Sequence, residues 1–206
     1  MKTVDVSIII VSFNTRDLTV ECIKSIMRTF KKSSYEIIVV DNNSEDESVK
    51  EIKRSFDSFD RTQDKSAQDK IFIIENSENF GFSKANNIGV KEASGRYILF
   101  LNSDTVVYSN TIDGMVEFMD KNKDTGAATC FVRLPNGKLD DAAHRGFPTP
   151  WRALSHFSNL SKLFRRSQLF AGYSLGHLDL NETHEIDALA GAFMLVRREA
   201  GEEVGW

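Results

Sequence analysis

Residues 97–104 read YILFLNSD. Five bulky apolar residues in succession describe a strand buried on both faces, as in a parallel sheet. Polar groups begin at Asn102, Ser103 and Asp104, where such a strand leaves the sheet. The switch recurs along the chain. Residues 6–11 (VSIIIV) run into Ser12, Phe13 and Asn14, and residues 35–40 run into Asp41, Asn42, Asn43 and Ser44. Segments of helical period lie between these strands. Leu18, Cys22, Ile26 and Met27 follow the first, capped by Asn14 or Thr15. Val49, Ile52 and Phe56 follow the second, with Ser44 and Glu47 at capping-box spacing. Residues 55–70 turn polar and charged and read as a helix end and exposed loop. A short strand over 71–74 then leads through Asn79-Phe80-Gly81-Phe82 to Ser83 as the N-cap of a helix over 84–93, closed by Ser94-Gly95. Another helix is expected over 111–121.

Strand and helix alternating four times predict an α/β fold with a doubly wound, mostly parallel sheet. Right-handed crossovers put every strand's carboxyl end on one edge of that sheet, so Asn14, Asp41, Asn79 and Asp104 are expected to converge. Ligands bind at that edge in open α/β sheets. After residue 127 the pattern changes. Residues 127–134 read as a strand, Pro135-Asn136-Gly137-Lys138 as a tight turn, residues 146–150 as an extended stretch, and residues 186–196 as an apolar strand broken by Gly191.

With 206 residues, 41% of them hydrophobic and 27% charged, the chain suits one α/β domain that needs no disulfide or structural metal. A formal charge of −4 gives no general attraction for nucleic acid. Cys22 and Cys130 show no metal or redox spacing and read as reduced thiols of a cytoplasmic protein. The apolar run at 6–11 is too short to span a bilayer and lacks the flanks of a signal peptide. No G-x-G-x-x-G follows the first strand, and no P-loop or nucleophile elbow is present. His144, His156, His177 and His184 lack zinc-ligand spacing.

Carboxylates and amides on one edge remain. Asp104 could hold a hard divalent cation shared with substrate phosphates, or simply cap a turn. Asp41 could accept hydrogen bonds from a ribose or base, or favour the N-terminal turn of the next helix. Gly81 permits a positive φ or a close backbone approach. Asn86 and Asn87 are poor helix formers inside a helix, which hints at a role other than propensity.

Residues 6–14 (VSIIIVSFN), 39–44 (VVDNNS), 75–89 (ENSENFGFSKANNIG), 101–104 (LNSD) and 191–198 (GAFMLVRR) together resemble the inverting family-2 glycosyltransferases of the GT-A fold, and within them the rhamnosyltransferase-like branch. The likeness covers nearly the whole chain, with five motifs in order. It implies one GT-A domain over 1–206, with a nucleotide-sugar-binding half (1–125) and an incomplete acceptor-side half (126–206). It places Ser12, Phe13 and Asn14 in the nucleotide pocket and Asp41, beside Asn43, on the base or ribose. Asn79, Gly81, Lys84 and Asn86 shape the uridine or thymidine side. Asn102 and Ser103 stand in the family's D-x-D-like motif, where Asp104 would hold Mg²⁺ or Mn²⁺ against the diphosphate of a UDP- or TDP-linked sugar. With Asn at 102 only one carboxylate of that motif is left, so metal binding without nucleotide is expected to be weak. The acceptor would be a glycan or a lipid-linked glycan of a bacterial surface polysaccharide.

Relatives continue beyond the point matching Gly205-Trp206 into an acidic segment carrying the general base. The expectation is therefore a truncated enzyme, with a non-catalytic nucleotide-sugar-binding module as the alternative. A nucleotidyltransferase would need a glycine- and arginine-rich loop where this chain has SFNTRD. Residues 151–170 keep two readings: a helix packing its apolar stripe on the sheet or the acceptor wall, or a basic amphipathic helix lying on the inner membrane surface.

Overall fold

The computed structural model describes residues 4–29, 32–59, 70–140, 143–179 and 181–206. The chain divides into two units, the first comprising residues 1–130 and 192–206, the second residues 131–191.

The first unit opens with β1 (Val6–Ser12), α1 (Arg16–Thr29), β2 (Tyr35–Asp41), α2 (Ser48–Phe59) and β3 (Lys70–Glu75). It continues through α3 (Gly81–Glu92), β4 (Tyr97–Leu101), α4 (Thr111–Lys121) and β5 (Ala127–Ala128). Its six-stranded sheet runs β3-β2-β1-β4 in parallel and is extended by β8 (Phe193–Arg197) and β5, with β8 antiparallel to both β4 and β5. The doubly wound expectation holds, and the strand order reverses between β1 and β4. β2 is buried at every residue and β1 at all but Val11, as unbroken apolar runs covered on both faces require. Ile9, Ile38, Val40, Ile98 and Phe100 form a core cluster with Ala85 and Val90 of α3.

Several local readings are corrected. α3 starts at Gly81, two residues before the expected cap Ser83, because the Asn79 side chain already accepts from the Gly81 N–H at 2.9 Å. The Ser44/Glu47 capping box does not form. Ser44 turns back to Asp41, and α2 begins at Ser48, whose N–H donates to Asp46 Oδ1 at 3.1 Å. A charged acceptor three residues away outcompetes the cap. The expected strand over 127–134 shrinks to β5. Beyond it the Thr129 hydroxyl closes onto the Phe193 carbonyl at 2.7 Å, and the chain passes into the second unit. Of the exposed loop expected over 55–70, residues 60–69 lie outside the described residues.

At the amino edge of the sheet Arg96 donates to both oxygens of Asp120 and to Asp5 Oδ1, while the Tyr97 hydroxyl donates to Asp120 Oδ1 at 2.9 Å. The Arg96 hydrogen bonds hold the Asp120 carboxyl down to about 2. Its folded pKa thus lies below the unfolded value of about 3.9. The group contributes stability above the unfolded value and loses it as pH falls through the folded one. The melting-temperature gap between the parent and Asp120→Asn is expected to be full at pH 7 and to close between about pH 4 and pH 2, as read in parallel thermal melts. A gap constant across that window would refute the assignment. Asp120 is 35% exposed, so solvent screening keeps the gap small.

The last helix, α8 (Arg198–Val204), was not expected. It ends on Gly205 with φ of 84°, and the Trp206 ring folds back over Gly201 and meets Phe100 edge-on at 6.1 Å.

The second unit holds β6 (His144–Arg145) paired with β7 (Ala188–Leu189), and three short helices, α5 (Pro150–Phe157), α6 (Leu160–Leu163) and α7 (Gln168–Ala171). The tight turn at 135–138 is present, with Gly137 at φ of 79° and the Leu134 N–H donating to the Lys138 carbonyl at 2.8 Å. Residues 151–170 are not the one helix that either reading expected. Asn159 turns left-handed at φ of 60° and breaks it. The apolar run 186–196 likewise becomes β7 and β8, in two different sheets. Among the described residues no helix is long and apolar enough to cross a membrane.

Candidate functional site at the carboxyl edge

β1, β2 and β3 finish in register, Ser12 against Asp41 and Asp41 against Glu75, while β4 leaves the sheet after Leu101 on the other side of β1. Parallel pairing therefore brings the polar tips of four strands to one edge, around the place where strand order reverses. Asp41 and Asp104 share that edge, on the two strands flanking β1.

Hydrogen bonds join the tips. The buried Asp41 carboxylate accepts from the Ser44 N–H at 2.8 Å and the Ser44 hydroxyl at 2.6 Å. Ser44 Oγ in turn accepts from the Asn14 N–H at 2.9 Å, and Asn14 Oδ1 accepts from the Glu45 N–H at 2.9 Å. The β1 and β2 loops are thus tied at two points. Asn14 and Asn43, each two residues past its strand, both turn left-handed, at φ of 54° and 65°. Asparagine tolerates that conformation better than other residues with a side chain. Asn42 extends the network, its Oδ1 accepting from Asn76 Nδ2 at 2.9 Å and its Nδ2 donating to the Gly81 carbonyl at 3.3 Å. Gly81, at φ of 76°, has open space where a Cβ would stand.

Toward β4 the linkage is made of hydroxyls. Ser12 Oγ lies 3.2 Å from Thr15 Oγ1 and 3.1 Å from Thr19 Oγ1, and Thr15 Oγ1 donates to Ser103 Oγ at 3.2 Å. Beneath them the Cys22 thiol approaches the Asn102 carbonyl at 3.6 Å. Burial, and then the negative charge of Asp104, push that thiol up to about 12, so it stays a neutral donor. Asp104 itself is exposed, and its carboxylate makes no hydrogen bond or ion pair among the described residues. Of the two carboxylates, Asp41 is saturated by its own loop and Asp104 is open to solvent.

Other expected residues are placed less centrally. Phe13 is 45% exposed at the β1 tip. Asn79 Oδ1 accepts from the Gly81 N–H at the start of α3, and the Lys84 ammonium sits 3.6 Å over the Phe80 ring. Asn86 is buried and donates to the Phe82 carbonyl of its own helix at 3.0 Å. An open cleft of about 670 Å³ lies beside Asp41, Asn43 and Ser44 and is lined further by Lys50, Lys53 and Glu75. It reaches the β2 side of the edge and stops short of Asp104.

Thr15, Thr19, Ser44 and Asn42 were missed as members of this network. The Asx and hydroxyl turn chemistry of DNNS was the available signal for Ser44 and Asn42. No local signal marks the bond from Thr15 to Ser103, 88 residues away.

No cluster of three or more His, Cys, Asp or Glu among the described residues could hold a metal unaided. The donor set, an open Asp104 carboxylate beside Ser103 and Asn102, fits instead a hard cation that takes its remaining ligands from a diphosphate and water.

A poly(ribitol-phosphate) beta-glucosyltransferase of Bacillus spizizenii is 32% identical over 145 residues, covering 69% of this chain and 20% of that protein. A UDP-Glc:alpha-D-GlcNAc-diphosphoundecaprenol beta-1,3-glucosyltransferase of Escherichia coli is 33% identical over 57% of this chain and 42% of its own length. The chain thus spans between a fifth and two fifths of these relatives. A solved mannosyltransferase of Pyrobaculum calidifontis, bound to GDP-Man and Mn²⁺, shares the fold with a TM-score of 0.63 at 16% identity, over the whole of this chain and 48% of that one. The profile of glycosyl transferase family 2 matches residues 7–205, and the chain belongs to that family.

Proposed function

We propose that residues 1–206 form the donor-binding part of an inverting glycosyltransferase, of the rhamnosyltransferase-like branch, that takes a UDP- or TDP-linked sugar and extends a bacterial surface polysaccharide at the cytoplasmic face of the membrane. The observation that carries this reading is the contrast at the carboxyl edge. Asp41 is fixed by Ser44 beside a cleft sized for a base and ribose, while Asp104 across β1 is left open. Asp41, Asn43 and the Ser12–Asn14 loop would orient the nucleoside, and Gly81 would admit it without a side chain in the way. Asn79, Lys84 and Asn86 would shape its far side.

Asn102, Ser103 and Asp104 would face the diphosphate and, through Asp104, Mg²⁺ or Mn²⁺. Such a cation would neutralise charge on the departing nucleoside diphosphate. The acceptor hydroxyl would displace that group in one in-line step, inverting the anomeric carbon. No general base is assigned within residues 1–206. Asp187, the late carboxylate closest in sequence, is bound by Arg152 at 2.7 Å and by the Phe147 N–H at 3.0 Å. The poly(ribitol-phosphate) and GlcNAc-diphosphoundecaprenol in the names of the two relatives support a surface-polymer or lipid-linked acceptor here.

Thermal melts with UDP, TDP and GDP, each with Mn²⁺ or with chelator, test the reading. Ligand at 100 times its Kd adds about 2.7 kcal/mol, which for a chain of this size raises the melting temperature by about 5–10 °C. UDP or TDP is expected to do so only with the cation. No shift with any nucleotide would remove the proposal. A shift without sugar transfer from intact UDP- and TDP-sugars would leave the alternative of a non-catalytic nucleotide-sugar-binding module.

A further inference from the structure

The second unit carries a surface that donor binding does not explain. No Asp or Glu stands between Asp141 and Asp179, whereas Arg145, Arg152, Lys162, Arg165 and Arg166 fall in that stretch. Arg152 is engaged by Asp187, but Lys162, Arg165 and Arg166 are exposed and make no ion pair among the described residues. Apolar side chains stand out beside them. Leu163 is 74% exposed, Leu169 61%, Phe164 46% and Trp151 44%. Trp151, Phe164 and Leu169 are joined into one patch, and Leu163 directly precedes Phe164 in the chain. Phe170 stacks against both Phe164 (5.0 Å) and Trp151 (5.9 Å), and the Trp151 indole N–H donates to the Leu169 carbonyl at 3.0 Å, fixing α5 to α7. Leu154 and Phe157 of α5, 57% and 82% exposed, add to the apolar surface of this unit. Solvated monomers seldom leave so much large apolar surface together.

We propose that the face built by Trp151, Leu163, Phe164 and Leu169 with Lys162, Arg165 and Arg166 docks on an anionic lipid bilayer. Apolar and aromatic side chains enter the headgroup boundary while the cations meet lipid phosphates, the pattern of an interfacial binder. Charge decides between this occupant and a second copy of the chain. A twofold interface presents the same patch to itself, so it would set the three cations against their own images with no acidic side chain between them. An anionic bilayer supplies the missing charge. The break at Asn159 makes this a folded platform of short helices, so the surface exists before contact. The inference is independent of donor binding.

Flotation of the 206-residue chain with phosphatidylglycerol-containing vesicles, against pure phosphatidylcholine vesicles, tests it. The protein is expected to float with the anionic vesicles alone and to be released by salt. Arg165→Glu combined with Arg166→Glu, and separately Leu163→Asp, should each cut vesicle partitioning by about tenfold or more. These positions are exposed, so melting temperature and nucleotide-induced shift should match the parent, which keeps a failure here distinct from a failure of donor binding. No flotation on anionic vesicles, equal flotation on neutral ones, or full flotation of both variants would each overturn the proposal, as would a dimer in light scattering that Leu163→Asp dissolves.

Discussion

Replacing Asp104 by asparagine is expected to abolish the cation-dependent part of nucleoside diphosphate binding while leaving the fold untouched. Nothing in the described structure rests on this side chain. It is exposed and forms no hydrogen bond or ion pair, so its replacement should fall within the about ±0.5 kcal/mol typical of free surface positions. Its chemistry is harder to spare. With Asn at 102 no second carboxylate in the LNSD segment can take over, and the neutral hydroxyl of Ser103 and amide of Asn102 do not offset a dication. Loss of a mere orienting partner of a metal ligand commonly costs about 10–100-fold in affinity, so loss of the ligand itself should cost at least that. Titration calorimetry of UDP or TDP with Mn²⁺ and with chelator reads the effect directly. In the parent the two isotherms should differ by at least that factor, and in Asp104→Asn they should coincide. A variant that still binds more tightly with Mn²⁺ would show that the cation is held elsewhere.

The same edge shows what a sequence can disclose. The apolar runs ending in SFN, DNNS and NSD are local signals, and parallel pairing then sets their tips side by side whatever the loops do. Asp41 and Asp104 were therefore legible as neighbours on one edge. Their opposite states were not. That Asp41 is saturated by Ser44 rather than free follows from a three-residue loop closing on itself, a competition that the capping-box spacing of Ser44 and Glu47 pointed the wrong way. The hydroxyl relay from Ser12 through Thr15 to Ser103 depends on a contact across 88 positions and has no periodic signature. Periodicity also misled over 151–164. A spacing of three and four is compatible with several short helices, and the left-handed turn at Asn159 decides between them. β5 failed for a related reason. An apolar run predicts burial, but whether that burial comes from a sheet or from a crossing chain is settled by partners far away.

Gly95→Ala is expected to be the most damaging single methyl group in the first unit. Gly95 joins α3 to β4 at the amino edge, opposite the edge that carries Asp41 and Asp104, and there the connection lies directly on the backbone of β1. A Cβ would stand 2.5 Å from the Ser7 nitrogen and 2.9 Å from the Val6 carbonyl carbon, so backbone rather than a side-chain tip would have to yield. The contact it would force apart is also polar. The Gly95 N–H donates to Ser7 Oγ at 2.7 Å, and Ser7 Oγ donates to the buried Glu36 carboxylate at 2.6 Å, which also accepts from the Ser94 N–H and hydroxyl. Overpacking of this kind costs about 1–3 kcal/mol, and weakening hydrogen bonds to a buried charge adds about 1.5–3 kcal/mol. A loss of roughly 3–5 kcal/mol is large against a total stability of about 5–15 kcal/mol, and at about 2–4 °C per kcal/mol it lowers the melting temperature by about 6–20 °C. Gly114→Ala is the control, because in α4 the nearest atom to its Cβ is 3.6 Å away and alanine should stabilise that helix by about 0.5–1 kcal/mol. If both variants melted within about 2 °C of the parent, the close passage of the α3–β4 connection over β1 would be wrong, and with it the register that sets Tyr97 against Val6.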